Sequence, residues 1–360
     1  MTTSAVALLG RKDEPTDAVE VYCHCLSEAL QSHGIRMDVR RVPWNIHGWP
    51  DSLRALELMA TQWRGTWVFV QYTALAWSSR GFPNKVLQAF RILKKAGARI
   101  GVVFHDVDAF AGGGLASTIR RFVQLRLMRR MVRESELAIF TISLDKIAWL
   151  DPKPPHAAFV AVGPTLRMDK PGFSSVAHNP PTIGVFSITG GTHGEWETIT
   201  IVSAARFAAD KLGAVRLSVF GRAAELRETA LRDALRGSPV QLSVEGIVSD
   251  QEVVERLCAS DLLLFVRGGI SSRRSSAIAG IACGLPVIAF ANSETAPPVT
   301  GAGVVVVPQD KPDDINAAVL HVLSNSGYRQ ELAARSRAAY RDHFSWPAIA
   351  ARFASILQAK

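Results

Sequence analysis

Short apolar runs alternate with amphipathic helical stretches along almost the whole chain, and this alternation limits the fold more than any other feature. In the first half, for example, the runs TWVFVQYT and ARIGVVFHD flank the helical stretch PNKVLQAFRILKKAG. Strands that alternate with helices predict a parallel sheet with helices packed against it. The pattern stops between residues 163 and 182, where Pro and Gly cluster without periodicity, and then restarts.

The restart predicts two domains, because 360 residues are many for a single hydrophobic core. We expect an α/β fold of two Rossmann-like domains facing a cleft. The predicted ranges are an N-terminal domain over 1–165, a linker over 166–181, a C-terminal domain over 182–342 and a final helix over 343–360. In open α/β sheets, ligands bind outside the carboxyl ends of the strands, so candidate residues are sought there.

The formal net charge of +9 is compatible with nucleic acid, an anionic membrane or phosphorylated small molecules as partners. Aromatic residues make up 8% of the chain and no nucleic-acid-binding module is visible, so we expect no nucleic acid partner. No apolar run of about 20 residues could span a bilayer. The N-terminus is typical of a first strand and not of a signal peptide, which predicts a cytoplasmic protein. Four cysteines do not form a disulfide framework.

Three segments of the C-terminal half carry a specific resemblance. VEGIVSDQEVVERLCASDLLLFV (244–266), AGIACGLPVIAF (279–290) and FSWPAIAARFASIL (344–357) resemble retaining glycosyltransferases of the GT-B fold, the family 4 group, also called glycosyl transferases group 1. The N-terminal half matches less closely, through LQSHGIRMDV, VQYTALAWSSRGFP and VVFHD.

This resemblance implies transfer of a sugar from a nucleoside-diphosphate donor, UDP or GDP being the expected nucleotide, to a glycan, lipid-linked or small-molecule acceptor. It also implies that the C-terminal domain binds the donor, that the N-terminal domain binds the acceptor, and that no metal or cofactor is required. The final helix is expected to cross back to the N-terminal domain. An enzyme of polysaccharide biosynthesis with hexosyltransferase activity would fit this pattern.

The family hallmark, two glutamates separated by seven residues, is missing. Counting back from Gly284 places these positions at Ser271 and Ala279, and neither side chain can ionise. In the family, the first glutamate typically meets sugar hydroxyls and the second meets the ribose. Two alternatives therefore stay open, namely a non-catalytic sugar-nucleotide-binding partner protein and a GT-B-fold epimerase or hydrolase of sugar nucleotides.

The stretch GGISSRRSS nevertheless has the chemistry of a phosphate site. Gly268 and Gly269 allow close backbone approach and positive φ, and a helix beginning near Ser275 presents N–H groups to an anion. Arg273 and Arg274 carry guanidinium forks that can clamp phosphate oxygens, although surface-exposed turn arginines would give the same pattern. The predicted donor contacts here are Gly268, Gly269, Ile270, Ser271, Ser272, Arg273, Arg274, Ser275 and Ser276.

Further donor contacts are expected at other strand ends. VFGR places Gly221 and Arg222 at a carboxyl end, and we predict that Arg222, together with Arg273, is a catalytic cation that offsets the charge of the departing diphosphate. FSITGGTHGEW offers Gly190 and Gly191 but not the Lys that related enzymes carry. Ile247, near the expected base-binding turn, and Glu294, a candidate contact for donor hydroxyls, complete this set.

On the acceptor side, His105 ends the strand RIGVVFH, where the family often has a histidine that contacts the transferred sugar. A lone histidine at a strand end is more often structural; the resemblance favours a catalytic role. The predicted acceptor contacts are Gly10, Asp13, Thr16, Tyr72 and Asp106. The sequence DVD over 106–108 resembles a metal motif of another transferase fold, but it lies away from the predicted diphosphate helix, so no metal site is predicted.

The helical stretch LASTIRRFVQLRLMRRMVRESE has two interpretations. It carries six arginines among apolar residues, and a basic amphipathic helix can lie on an anionic membrane. Surface helices of ordinary domains also have solvated basic faces. If it contacts a membrane, the protein would be peripheral at the inner face and the acceptor could be lipid-linked.

Overall fold

The computed structural model describes residues 3–110, 112, 114–166, 178–311 and 313–359. The chain divides into two compact units, the first formed by residues 1–161 with 346–360 and the second by 162–345. Most of the predicted linker, residues 167–177, lies outside the described residues. Each unit contains its own parallel sheet and its own hydrophobic core.

The first unit contains a six-stranded sheet in which every pairing is parallel. Its strands are β1 (Thr3–Leu9), β2 (Ile35–Arg41), β3 (Trp67–Tyr72), β4 (Arg99–Phe104), β5 (Leu137–Phe140) and β6 (Ala157–Phe159). The spatial order is β2-β1-β3-β4-β5-β6, so the order reverses between β1 and β3. All six residues of β3 are buried, because both faces of a parallel sheet are covered.

Helices of the first unit connect these strands and include the C-terminal helix. They are α1 (Ala18–Leu30), α2 (Trp44–Ala60), α3 (Val86–Lys95), α4 (Leu115–Glu134) and α11 (Trp346–Gln358). The stretch LRALELMATQW (53–63) predicts a helix, but α2 begins earlier, at Trp44, and contains a kink at Gly48, where φ is 74°. In α11, the Phe353 ring lies edge-on to Phe69 with centroids 5.0 Å apart.

The second unit contains another six-stranded, all-parallel sheet. Its strands are β7 (Thr182–Phe186), β8 (Val215–Phe220), β9 (Val240–Glu245), β10 (Leu262–Gly269), β11 (Val287–Phe290) and β12 (Val304–Val307). The order β12-β11-β10-β7-β8-β9 reverses between β7 and β10. Such a reversal is a topological switch point, where ligands of open α/β sheets usually bind.

The helices of the second unit are α5 (Gly191–Leu212), α6 (Glu228–Leu235), α7 (Asp250–Cys258), α8 (Ser275–Ala282), α9 (Asp314–Ser324) and α10 (Ser326–Ala339). The sequence after the strand AGVVVVP predicts two closing helices, the last being WPAIAARFASILQ, whereas the structure has the three helices α9, α10 and α11 there. Asn325 interrupts the helix with φ −113° and ψ 96°, and its side chain accepts a hydrogen bond from the Tyr328 N–H at 3.0 Å. That bond caps α10 and ends α9.

The expected α/β class with two Rossmann-like domains is confirmed by the two parallel sheets and their helices. Within the ranges that the structure describes, no helix is both long enough and apolar enough to cross a bilayer.

Candidate active site

The carboxyl ends of β7 and β8 are joined by hydrogen bonds that shape one edge of the second unit's sheet. The Ile188 N–H donates to the Arg222 carbonyl at 3.0 Å, and the Arg222 N–H donates to Ser187 Oγ at 3.2 Å. Ser187 and Ala223 have positive φ values of 67° and 60°. Non-glycine residues rarely adopt this conformation, and such strain concentrates at functional sites.

Arg267, which the sequence analysis missed, projects from β10 at the same edge. Its Nε is buried and has no hydrogen-bond partner among the described residues. Burial lowers the pKa of Arg267, and the nearby Arg222 lowers it further, whereas Glu197 acts in the opposite direction. The charge of Arg222 therefore reaches the largely buried side chain of Arg267. An arginine directly before the Gly-Gly turn, at the end of an otherwise apolar strand, was the available signal.

Glu197 is the buried carboxylate beside this pair of cations. It is 3% exposed, and its Oε2 accepts a hydrogen bond from the Thr189 N–H at 2.7 Å. This bond fixes the loop between β7 and α5, where the predicted contacts Gly190 and Gly191 are exposed at the start of α5. The loop therefore presents the N-terminus of a long helix at the edge that carries Arg267.

The last two residues of β10 must both be glycine. Gly268 has φ 67°, as the sequence predicted for this turn, and the Arg274 guanidinium lies over it, with Nη2 3.5 Å from the place a Cβ would take. A Cβ at Gly269 would overlap the Cβ of Asn292, which follows β11. The backbone of β10 therefore packs tightly against the β11 loop, and Arg274 covers the turn.

Helix α8 begins at Ser275, as predicted, and no side chain caps its N-terminus. Ser275 and Ser276 are half-buried in its first turn, and the Arg274 N–H donates to the Ser271 carbonyl at 3.1 Å. Uncapped N–H groups and the partial positive charge of a helix N-terminus favour an anion. This end of α8 can therefore hold a phosphate.

Arg273 faces a carboxylate in this structure. Its Nε and Nη2 lie 2.8 Å and 2.7 Å from the Oε2 and Oε1 atoms of Glu294, and Ser271 Oγ donates to the same carboxylate at 3.0 Å. The side chains of Arg273 and Glu294 are 24% and 11% exposed. A bidentate pair of this kind fixes both side chains.

Burial would raise the pKa of Glu294, but Arg273, with smaller contributions from Ser271 and Arg274, lowers it below its usual range. The backbone of Glu294 is fixed within the loop after β11, because its N–H donates to Asn292 Oδ1 at 2.9 Å. The chain thus places an ionised carboxylate beside Ser271, the position where the resemblance expects the first family glutamate.

The other predicted donor contacts are distributed around this edge. Gly221 has φ 92°, and a Cβ there would lie 2.7 Å from Ser187 Oγ. Ile270 and Ser272 are buried, with exposures of 0% and 3%. Ile247 is 57% exposed after β9, the edge strand of the sheet. Ile270 and Ser272 therefore support the turn from inside, whereas Ile247 is accessible.

In the first unit, a cavity of about 230 Å³ lies at the carboxyl ends of β1 and β3. Gly10, Asp13 and Asp106 line it, so the structure brings three predicted acceptor contacts together. Thr16 is exposed on the loop that carries Asp13. The Tyr72 side chain is fully buried against Phe104 with centroids 5.5 Å apart, and burial, together with Asp106, raises the pKa of its phenol. Its hydroxyl faces the core and not the cavity.

His105 is held at this edge by Gln71. The His105 Nε2 lies 2.9 Å from Gln71 Oε1, and the imidazole ring is edge-on to Tyr22 with centroids 5.0 Å apart. Gln71 also lines the cavity. The contact fixes the ring plane and links His105 to the cavity wall.

The two aspartates of the DVD segment have different partners. Asp106 Oδ2 accepts from the Ala74 N–H at 2.8 Å, whereas Asp108 pairs with Arg121 at 3.3 Å. Across the described residues, no three His, Cys, Asp or Glu side chains are grouped as metal ligands would be. The carboxylate of Asp106 instead orders the loop that follows β3.

Neither a family model nor a curated protein matches the chain. Solved structures do match along almost its whole length. HepE of Anabaena, in complex with UDP and glucose, aligns with a TM-score of 0.66 and 13% identity over 99% of this chain and 100% of that one. The chain has the GT-B fold.

Two further solved structures match the chain along almost its whole length. Sucrose-phosphate synthase from Thermosynechococcus elongatus gives a TM-score of 0.70 and 15% identity, covering 99% of this chain and 98% of that chain. WaaG, a glycosyltransferase involved in lipopolysaccharide biosynthesis, aligns with a TM-score of 0.60 and 13% identity over 99% of this chain and 100% of that chain. Identities this low establish a shared fold and leave activity to be argued from the site itself.

Proposed function

We propose that this chain is a glycosyltransferase that binds a nucleoside-diphosphate sugar in its second unit and an acceptor in its first. The observation that carries the proposal is the pair of cations, Arg267 and Arg222, at the switch point of the second sheet. Burial and repulsion from Arg222 lower the pKa of Arg267 despite the nearby carboxylate of Glu197, so a further anion would stabilise the charged guanidinium. A diphosphate is such an anion, and the uncapped N-terminus of α8 supplies further donors.

In the reaction, the bond between the sugar C1 and the diphosphate oxygen breaks, and a bond forms between C1 and an acceptor oxygen. The electron pair of the broken bond stays on the diphosphate, and the acceptor hydroxyl loses its proton. Fixed positive charge at the departing diphosphate stabilises the transition state. Arg267 and Arg222 fill that role in our proposal without a metal ion, and retention of anomeric configuration is inferred from the resemblance to the retaining family.

The geometry suggests a different task for Arg273. Its guanidinium grips Glu294, so we propose that Arg273 positions this carboxylate, which accepts hydrogen bonds from the hydroxyls of the donor sugar. A carboxylate with a lowered pKa stays ionised near neutral pH and acts only as an acceptor. Glu294 would then supply, from another loop, the group that is absent at Ser271.

The cavity of the first unit suits a polyhydroxylated acceptor. Asp13, Asp106 and Gln71 line this cavity with carboxylate and amide oxygens. Its volume of about 230 Å³ is below the roughly 300–1,000 Å³ of most ligand pockets, so it suits a small part of an acceptor, such as one sugar ring. A glycan or the sugar of a lipid-linked acceptor would fit this chemistry. His105, fixed by Gln71, is our candidate for a hydrogen bond to the sugar or for acceptance of the hydroxyl proton.

Calorimetric titration with UDP, GDP and ADP tests the donor site directly. We expect one nucleotide to bind and Arg267→Met to weaken it tenfold or more, which corresponds to about 1.4 kcal/mol. Arg216→Met is the matched control, because Arg216 is an exposed arginine on β8 of the same unit. Equal binding by the wild type and Arg267→Met, in a folded variant, would contradict the cationic site.

A turnover assay then distinguishes a transferase from a non-catalytic binding protein and from an epimerase or hydrolase. Incubation of the matching sugar nucleotide with glycan acceptors should release nucleoside diphosphate only when an acceptor is present. Nucleotide binding without any turnover would favour the non-catalytic partner protein. Turnover that needs no acceptor would favour an epimerase or hydrolase of sugar nucleotides.

A further inference from the structure

One side of α4 is both apolar and cationic, and it faces solvent. Leu115, Ile119 and Phe122 are 78%, 50% and 65% exposed. Arg126, Arg129 and Arg133 continue the same line and are also exposed. These spacings of four, three, four, three and four residues keep all six side chains within about 40° of one line along the helix. We call these six residues the α4 face.

The fold of the first unit does not need this face. Helix α4 packs into the core through a different set of residues, among them Leu127, Met128, Met131 and Val132. A helix that buries one apolar side in its own domain needs no second apolar side to stay folded there. Large apolar side chains in a row, open to water, are uncommon on proteins that have no partner there.

The cationic half of the face borders a second feature. A cavity of about 630 Å³ is lined by Arg126, Arg129 and Arg133 together with apolar groups that include Trp149, Leu150 and Pro152. Asp151 also lines it.

The three arginines of the face differ from their neighbours on the helix. Arg121 pairs with Asp108 at 3.3 Å and Arg130 pairs with Glu134 at 2.6 Å. Within the described ranges, Arg126, Arg129 and Arg133 have no carboxylate within ion-pair distance. Arg129 Nε donates a hydrogen bond to the Trp149 carbonyl at 3.4 Å, which is a neutral acceptor, so no carboxylate of the described residues balances these three charges.

We propose that the α4 face docks on the surface of a bilayer that contains anionic phospholipids. The helix would lie in the membrane plane, with Leu115, Ile119 and Phe122 inserted below the headgroups. Arg126, Arg129 and Arg133 would meet lipid phosphates, which enter the cavity beside Trp149. The face is about 27 Å long, enough for contact with several headgroups. This arrangement of apolar and basic residues is what holds interfacial helices on anionic membranes.

A second copy of the chain is a less suitable partner. In a symmetric dimer the same patch meets itself, so the interface would contain six arginines of the α4 face and no acidic residue of that face. The formal net charge of +9 adds general repulsion between copies and general attraction to an anionic surface. Charge complementarity therefore favours the bilayer. The inference does not depend on the proposed transferase activity.

Vesicle sedimentation tests the proposal with the full chain. The probes are vesicles of phosphatidylcholine alone and vesicles with about 30% phosphatidylglycerol, a fraction chosen to give a clearly negative surface. We expect binding only to the anionic vesicles and much weaker binding in about 0.5 M salt, where charges are screened. No binding to anionic vesicles at low salt would overturn the proposal.

A variant of the three arginines and a matched control test the cationic half of the α4 face. Arg126→Glu/Arg129→Glu/Arg133→Glu should weaken anionic vesicle binding about a hundredfold at low salt, since each arginine near such a surface contributes close to a factor of five to ten. The control Arg64→Glu/Arg91→Glu/Lys211→Glu changes the same number of exposed cations elsewhere and should bind within about threefold of wild type, allowing for its lower net charge. Equal losses in both variants would overturn a specific face.

The apolar half is tested by Leu115→Ser/Ile119→Ser/Phe122→Ser. All three side chains are exposed, so this variant should fold normally while it loses at least tenfold in vesicle binding. Light scattering on the free protein accompanies the test. If the variant instead converts a wild-type dimer into a monomer and leaves vesicle binding unchanged, the face is an interface between copies and the membrane proposal is wrong.

Discussion

Arg273 and Glu294 form a bidentate ion pair in the second unit, with Nε–Oε2 and Nη2–Oε1 distances of 2.8 Å and 2.7 Å. The pair joins the turn after β10 to the loop after β11, and Ser271 adds a third hydrogen bond. The side chains are 24% and 11% exposed, so water competes only weakly for these bonds. The pair thus fixes the position of one carboxylate at the edge of the sheet.

Removal of Arg273 should destabilise the fold, because it leaves the carboxylate of Glu294 partly buried without its counter-ion. We expect Arg273→Ala to lower the free energy of unfolding by about 1–3 kcal/mol. Chemical denaturation at neutral pH measures this. Arg232→Ala, which breaks an exposed pair with Glu228, should cost less than about 1 kcal/mol. Equal losses of unfolding free energy in the two variants would show that Arg273 contributes no more than an exposed ion pair.

Acid should weaken the same contact. The pKa of Glu294 is lowered in the folded protein, so its contribution to stability is fully present above the unfolded pKa of about 4.3. As the pH falls from there through the lower folded pKa, the contribution is lost. Gln at this position cannot titrate. The stability advantage of wild type over Glu294→Gln should therefore be constant from about pH 7 to 5.5 and should shrink below about pH 4.3; an advantage that persists unchanged at pH 3 would refute this.

The partner of Arg273 was beyond the reach of sequence patterns. The alternation of strands and helices is local, and it was sufficient to predict the two parallel sheets and the start of α8 near Ser275. The ion pair instead joins residues 21 positions apart and depends on how the β11 loop folds back. From the sequence, an arginine after a glycine turn indicated a phosphate clamp.

The roles of Arg267 and Tyr72 also could not be predicted from the sequence pattern. Arg267 stands at the end of an apolar strand, where its cationic neighbour Arg222 is supplied by a different strand of the sheet. Tyr72 ends β3, whose six residues are all buried, so side-chain alternation gives no signal about which face is accessible. In both cases the missing information is the packing between strands that are distant in sequence.

Gly269 offers a test of the packing that holds the β11 loop. A Cβ at this position would overlap the Asn292 Cβ, so Gly269→Ala must displace either β10 or the loop. We expect a loss of about 1–3 kcal/mol in the free energy of unfolding, the usual cost of overpacking. Gly301→Ala is the control, since open space surrounds that position. A thermal or chemical denaturation series decides, and a Gly269→Ala protein as stable as wild type would show that the loop yields freely.

Glu294 also provides a direct test of the proposed contact with the donor sugar. If the carboxylate accepts hydrogen bonds from sugar hydroxyls only, Glu294→Gln should leave the affinity for the free nucleoside diphosphate within about threefold, because that ligand lacks the sugar. Affinity for the sugar nucleotide, or kcat/KM for transfer, should fall at least tenfold, since hydrogen bonds to a charged acceptor contribute about 1.5–3 kcal/mol.

Glu255→Gln, an exposed carboxylate on α7, is the matched control and should change neither quantity. The ratio of the two affinities carries the result, because it cancels any general loss of folded protein. Equal losses for nucleotide and sugar nucleotide would mean that Glu294 only supports the turn through Arg273, and the sugar contact would have to come from another residue.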